Sequence, residues 1–364
     1  MTTVNKMTKI YLGFIMVVSL FLVACNNDHN TSVNQDPIRV QEQFFAIDTL
    51  ITITIVNHPE ATTLIKNLRT MVNDYEKMMS ISIEGSDVYR INQKHSGEFV
   101  VISPETFHVI ETSLKFGEKT QGAFDITIYP LIRLWDLKAE KTVLPTDEEI
   151  GVTKSLVNYQ KVLLDRDRVA ISLQNENMAI DLGGVAKGFI GDQMARYLRE
   201  QGVEHGIINL GGDVLVIGER WDNTPWTVGV AHPRREDSGK SLLARIKARD
   251  EVVITSGDYE RFNQALFEEK GMRYHHIIDP STGYPSQRGI MTTAVIGQEA
   301  MIGDIIATAL FNMTVEAGME LLNSLEGYEG MIVTEDKQIY ATKGMQDKLE
   351  LEDMSYELIL GKGD

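Results

Sequence analysis

The chain has 364 residues, 43% apolar and 24% charged, with 29 Gly, 9 Pro and one Cys. This excludes a disordered, collagenous or disulfide-scaffolded protein and provides for a sizeable core. The formal net charge of −17 argues against nucleic-acid binding by phosphate neutralisation and against a broad electrostatic hold on an anionic membrane.

The N-terminus reads as an address. Lys6 and Lys9 precede an apolar run from Ile10 to Val23, short for a membrane span and suited to the core of a signal peptide. Leu22-Val23-Ala24-Cys25 then resembles a bacterial lipobox, in which the cysteine is lipidated and becomes the new N-terminus. The competing reading is an uncleaved anchor with a chance cysteine. Residues 1–24 are therefore expected to be a lipoprotein signal peptide, and 25–42 lipidated Cys25 followed by a flexible tether. Loss of Lys6 and Lys9 would take the charge from −17 to −19. No second cysteine exists for a disulfide.

Residues 43–360 read as one mixed α/β (α+β) domain. Phe44–Val56 alternates and is β-branched, which predicts a strand. Ala61–Met79 has helical spacing, and Pro104 opens a second helix to about Lys119 with Ser103 as N-cap. Asp125–Tyr129 is strand-like, Asp147–Val157 helical, and Val162–Leu164 with Val169–Leu173 a hairpin. Ala179–Leu182 predicts a strand that runs through Gly183-Gly184 into a helix ending near Glu200. Strands follow at Gly206–Leu210, Val214–Ile217, Trp226–Val230, Val252–Thr255 and Thr292–Ile296. Met301–Met313 and Val315–Leu325 read as helices and Gly330–Thr342 as a hairpin. The irregular alternation argues against a simple doubly wound sheet.

Four polar, glycine-bearing segments stand out. Asp181-Leu-Gly-Gly-Val-Ala-Lys-Gly188 lies at the start of a predicted helix, where glycine amides and the helix N-terminus suit a phosphate. Lys187 could offset ligand charge and Asp181 could accept from a sugar or ring donor; equally, Asp181 could cap a tight turn with Lys187 in solvent. Asn209-Leu-Gly-Gly-Asp213 is a second glycine pair beside an acid, or a simple hairpin turn. Thr255-Ser-Gly-Asp-Tyr-Glu-Arg261 could place Ser256 and Arg261 on phosphate or ribose, or pair Asp258 with Arg261 at the surface. Tyr274-His-His-Ile-Ile-Asp-Pro-Ser-Thr-Gly-Tyr-Pro285 carries two adjacent His, of which at most one faces a site if the segment is extended. Asp304 and Thr308, four apart on a predicted helix, share a face. They are hard oxygen ligands suited to Mg2+ or Ca2+, or else a cap and an interior packing residue.

Taken in order, with Gly122-Ala-Phe-Asp125 and Pro130-Leu-Ile-Arg-Leu-Trp135 preceding them, these segments resemble the ApbE family of bacterial FAD:protein FMN transferases, from about Phe44 to Met331. The resemblance implies an Mg2+-dependent enzyme with FAD as substrate. Its FMN half would pass as a phosphoester to a threonine hydroxyl of a target flavoprotein, with release of AMP. It implies FAD contacts at Ile47, Ser82, Ala123, Phe124, Asp125, Asp181, Lys187 and Ile278. The metal would be held by Asp304, Thr308 and the carbonyl of Gly184, and His276 would be the base. Ile47-Asp48-Thr49 departs from the Met-Gly-Thr of many members, and Ser82 stands where an aromatic can occur. The expected partners are FAD, extracytoplasmic flavoproteins such as flavin-carrying subunits of membrane redox complexes, and the membrane through the lipid anchor, on its extracytoplasmic face; nucleic acid is not among them. Two alternatives share the site: an FAD pyrophosphatase giving FMN and AMP, and a non-catalytic lipid-anchored flavin-binding protein.

Overall fold

A computed structural model of the protein describes residues 36–139 and 143–361. The expected signal peptide, Cys25 and most of the expected tether lie outside the described residues. The folded unit starts at Pro37, and its first strand begins at Arg39.

Among the described residues, nine strands form one sheet. Their spatial order is Arg39–Ala46, Thr49–Val56, Gly206–Leu210, Asp213–Ile217, Val252–Gly257, Ile290–Gly297, Glu329–Thr334, Gln338–Ala341 and Glu357–Leu360. Only the last pair is parallel; the other neighbours are antiparallel. Period-two alternation divides the central side chains between two cores. Leu215, Ile217, Val252 and Ile254 join the helices, whereas Val214, Val216 and Val253 join a second cluster. That second cluster is closed by a three-stranded sheet of Trp226–Ala231, Leu242–Ala248 and Leu349–Leu351, through Val228, Val230, Leu243 and Ile246. The sheet is thus the middle of three layers. Each fully buried aliphatic in it is worth roughly 1.5–3 kcal/mol relative to exposure.

The helical layer follows the spacing of its apolar residues. Ala61–Met79 buries Leu64, Ile65, Leu68 and Val72 as one stripe. Pro104–Lys119 starts at Pro104, with the Ser103 Oγ accepting from Thr106 N at 3.2 Å. Ala186–Glu200 and Ala300–Phe311 lie side by side beneath the sheet and share its main core.

Three predicted elements differ. Phe44–Val56 is two strands joined at Ile47 and Asp48, both at positive φ (47° and 59°). A β-branched residue is a poor donor of that conformation, which hides the turn from the sequence. Asp125–Tyr129 is a 3-10 turn, Ile126–Ile128, that leads into helix Tyr129–Trp135, with Asp125 as its N-cap. Ala179–Leu182 joins no sheet; the Ile180 amide donates instead to Asn92 Oδ1 at 2.8 Å.

The close approach of the two site helices depends on Gly188. A Cβ built there would lie 2.7 Å from Met301 Cα and closer still to the Ala300 carbonyl. Backbone atoms cannot rotate away. Gly188→Ala would gain up to about 1 kcal/mol of helix propensity but lose about 1–3 kcal/mol to overpacking. A net loss of stability is expected in denaturant unfolding; an unchanged or raised midpoint contradicts this packing.

Candidate functional site

Helix Ala300–Phe311 is apolar apart from Asp304 and Thr308, and Asp304 is its only charged residue. At 3% exposure that carboxylate needs partners. Lys187 Nζ lies 3.2 and 3.3 Å from its two oxygens, and the Gly188 amide donates to Oδ2 at 3.2 Å. The same ammonium is 3.4 Å from Asp213 Oδ2. Asp213 is also buried, and its Oδ1 accepts from Thr255 N at 3.2 Å. Glu260 is within electrostatic reach of all three groups.

One lysine therefore pairs with two buried carboxylates and lies in the field of a third acid. Burial opposes the Lys187 charge, but Asp304 and Asp213 outweigh it and hold the ammonium above the usual lysine range. Burial pushes Asp213 up to about 6, against the pull of Lys187 and with the repulsion of Asp304. Glu260 reaches solvent, yet the protein around it and the Asp213 charge push it up to about 8. The cluster has an excess of negative charge.

One turn beyond Asp304, Thr308 faces Gly184. A Cβ on Gly184 would stand 3.4 Å from Thr308 Oγ1 and 3.4 Å from the Phe124 ring. Gly184, Thr308 and Phe124 are thus brought together, with Asp304 and Lys187 on the adjoining turns. Asp181 receives the Gly183 amide on its carboxylate, and its own amide donates to the Ile126 carbonyl at 2.8 Å. The segment is a side-chain-capped turn, as one reading had it, yet Lys187 sits in the charged cluster and not in open solvent. The donor set of carboxylate, hydroxyl and main-chain carbonyl fits a hard divalent cation. Among the described residues no three His, Cys, Asp or Glu side chains gather so as to hold a metal ion, so this donor set has one carboxylate only.

At the far end of the helix, Asn312 joins two loops. Its Nδ2 donates to the Ala123 carbonyl at 3.0 Å and to the Ile278 carbonyl at 3.2 Å. Beside Ala123, Asp125 is turned inward. Its Oδ1 accepts from Thr127 N and Oγ1 (2.8 and 2.6 Å) and its Oδ2 from Tyr159 N (2.9 Å). Its carboxylate therefore shapes the loop, and both oxygens are engaged by protein donors.

The His pair divides, one ring inward and one outward, although the segment forms no strand and His275 makes only an isolated bridge to Phe262. His275 is buried, with Nε2 at 2.8 Å from the Ser286 carbonyl. His276 reaches solvent while protein surrounds it, as on a cleft wall. Its Nδ1 lies 3.2 Å from the Arg261 carbonyl, which can only accept, so Nδ1 carries the proton and Nε2 presents a lone pair. The enclosing protein, His275 and Arg261 hold its pKa below the usual histidine range, so the ring is neutral at pH 7. Lys187 also acts on His276 electrostatically, which places the two in one field.

Arg261 reaches the opposite rim. It donates to Asp48 Oδ2 at 3.0 Å and to the Asp48 carbonyl at 2.8 Å. This fastens the Ile47-Asp48 turn to the loop that holds His276. The Asp258–Arg261 pair weighed from sequence does not form. Asp258 takes a two-pronged bond from Arg234 at 2.8 and 2.7 Å. The Ile47 amide donates to Glu76 Oε1 at 3.0 Å. Ser82 follows the same helix, is exposed, and bonds Ser80 through its amide and hydroxyl. These bonds do not join it to the charged cluster.

Asp213, Glu260 and Asn312 are site residues absent from the expected set. Asp213 carried a signal, the Gly-Gly-Asp ending of its motif. Asn312 carried none, because its two partners lie 189 and 34 residues away in the chain.

Residues 47–332 match the ApbE family. An FAD:protein FMN transferase of Klebsiella pneumoniae (strain 342) is 31% identical over 309 residues, covering 85% of this chain and 93% of the relative. One of Vibrio cholerae serotype O1 is 30% identical over 279 residues, covering 76% and 81%. The crystal structure of the ApbE protein from Thermotoga maritima superposes with a TM-score of 0.76 at 30% identity, covering 84% of this chain and 98% of that one. The flavin transferase ApbE from Vibrio cholerae gives 0.77 at 26% identity, covering 86% and 100%. The mixed helix-and-sheet fold is the one these structures share, and the chain belongs to the ApbE family.

Proposed function

We propose that the protein is an Mg2+-dependent FAD:protein FMN transferase. It would move FMN from FAD to a threonine hydroxyl of a target flavoprotein and release AMP. The observation that carries this is the convergence of Asp304, Thr308, Gly184 and Lys187 where two helices meet, in a family whose curated relatives bear that name. With Cys25 lipidated, the enzyme would work from the extracytoplasmic face of the cell membrane on flavin-carrying subunits held there.

Asp304, Thr308 and the Gly184 carbonyl would hold the Mg2+, which supplies charge neutralisation at the phosphate oxygens. The surrounding residues have separable tasks. Lys187 brings a second positive charge against the pyrophosphate. Ile47, Ala123, Phe124, Asp125, Asp181 and Ile278 would line the FAD site, with Ser82 at its margin. His276 Nε2 accepts the proton of the threonine hydroxyl as its oxygen bonds the FMN phosphorus, and the P–O bond to AMP breaks. The bond from His276 Nδ1 to the Arg261 carbonyl becomes stronger as the ring gains charge. Among the described residues the one cation paired with Asp304 is the Lys187 ammonium, so metal binding and the Lys187 contact would compete for one carboxylate.

The direct test mixes the protein with FAD, Mg2+ and a flavin-carrier domain, and reads intact masses and AMP. An FMN-sized gain on the carrier, abolished by EDTA, is expected. AMP without a gain on a competent carrier would make the protein an FAD pyrophosphatase, and neither product would leave a flavin-binding protein. Asp304→Ala should abolish Mg2+-dependent turnover; wild-type rates in that variant remove Asp304 from the metal site. His276→Ala should slow transfer by about 100-fold or more with FAD binding retained. Equal loss of both would make His276 a binding residue. Lys187→Met leaves two buried carboxylates uncompensated, at a cost of about 3–5 kcal/mol in EDTA. Mg2+ should raise the melting temperature of this variant more than that of the wild type, and an equal response contradicts the shared-carboxylate picture.

A further inference from the structure

Helix Ala300–Phe311 lacks a cap of its own. Glu299, at its N-cap position, makes no side-chain bond to the first turn. Four amides at a helix start need acceptors, and here two of them find one on a different helix. Asp192, from Ala186–Glu200, accepts from Ala300 N through Oδ1 at 2.7 Å and from Met301 N through Oδ2 at 2.9 Å. One carboxylate thus spans two consecutive amides, which fixes both the axial height and the rotation of the helix it caps. The negative charge also meets the positive end of the helix dipole.

A second observation at the same junction is steric. Gly188, one turn before Asp192, lets the Ala300 carbonyl and Met301 Cα approach closer than any side chain would permit. Asp192 pulls the helix start inward and Gly188 sets how near it can come. Asp304 lies one turn beyond the capped amides, on Lys187 and the Gly188 amide. A slip at the cap would move Asp304 and Thr308 together, away from Lys187 and Gly184.

We propose that Asp192 is a positioning residue of the active site: by capping helix Ala300–Phe311 from the neighbouring helix, it sets the register of Asp304 and Thr308 against Lys187 and Gly184. Both carboxylate oxygens are engaged on the Ala300 and Met301 amides, so the residue acts through the helix. This rests on the metal-binding reading above. Residues that hold ligand-bearing groups in place commonly control affinity by 10- to 100-fold.

The test compares Asp192→Ala, Asp192→Asn and Leu198→Ala by Mn2+ binding, read from the electron paramagnetic resonance of the unbound ion, and by melting temperature. Leu198 is fully buried on the same helix as Asp192 and serves as a control for loss of stability alone. Asp192→Ala should weaken Mn2+ binding by about tenfold or more. Asp192→Asn should fall between it and the wild type, since its amide oxygen can still accept one bond. Leu198→Ala should melt lower with Mn2+ affinity unmoved. The same ordering is expected in the Mg2+ concentration for half-maximal turnover, with a smaller effect on kcat at saturating Mg2+. Asp192→Ala that binds Mn2+ as tightly as the wild type, or Leu198→Ala that weakens binding as much, overturns the inference. Wild-type protein that binds no Mn2+ instead refutes the metal reading itself. If Asp192→Ala does not fold, Asp192→Asn decides: wild-type affinity there overturns the proposal.

Discussion

The site depends on one contact, the docking of helix Ala300–Phe311 against the start of helix Ala186–Glu200. Everything with chemistry to perform is referred to that axis. Its first turn is held by Asp192, its second carries Asp304 on Lys187 and Gly188, its third brings Thr308 to Gly184. Beyond its last turn, Asn312 ties down the loops of Ala123 and Ile278. The helix can serve as this axis because it is buried on nearly every side, between the sheet and its neighbouring helices. A close-packed environment leaves it little room to shift.

The same burial creates the electrostatic problem that makes the site reactive. Asp304 and Asp213 have been withdrawn from water around a single ammonium, and Glu260 adds a third acid within reach. Ion pairs of this kind contribute little net stability, since desolvation consumes most of the attraction. Their persistence makes sense if the charge is needed for a ligand. In a chain of net charge −17, a pyrophosphate would otherwise meet a repulsive field. A lysine already in place, and under the proposed function a divalent cation on Asp304, would offset that field locally.

Much of this was legible in the sequence, and what was not has physical reasons. The helices of the helical layer and most strands of the large sheet followed from apolar spacing. Asp304 and Thr308 could be placed on one helix face, because that statement depends on local periodicity alone. The Ile47-Asp48 turn was missed because a β-branched residue at Ile47 contradicts the usual turn chemistry; it is held from outside by Arg261 and Glu76. Helix Gln264–Lys270 and strand Leu242–Ala248 were also not anticipated, since neither announces itself by strong spacing. Asp125 has the residue type of a ligand contact but spends its carboxylate on Thr127 and Tyr159. Asp192 and Asn312 bind backbone amides and carbonyls of distant segments. Such bonds put no constraint on the identity of their partners, so no pattern in the sequence marks them.

The most direct test of this account is a crystal structure with FAD and Mn2+ bound, with the ion located by its anomalous scattering. The account predicts a peak bounded by Asp304, Thr308 and the Gly184 carbonyl, against the FAD phosphates, with Lys187 displaced from at least one Asp304 oxygen. A peak elsewhere, with Lys187 still on both oxygens of Asp304, would contradict it.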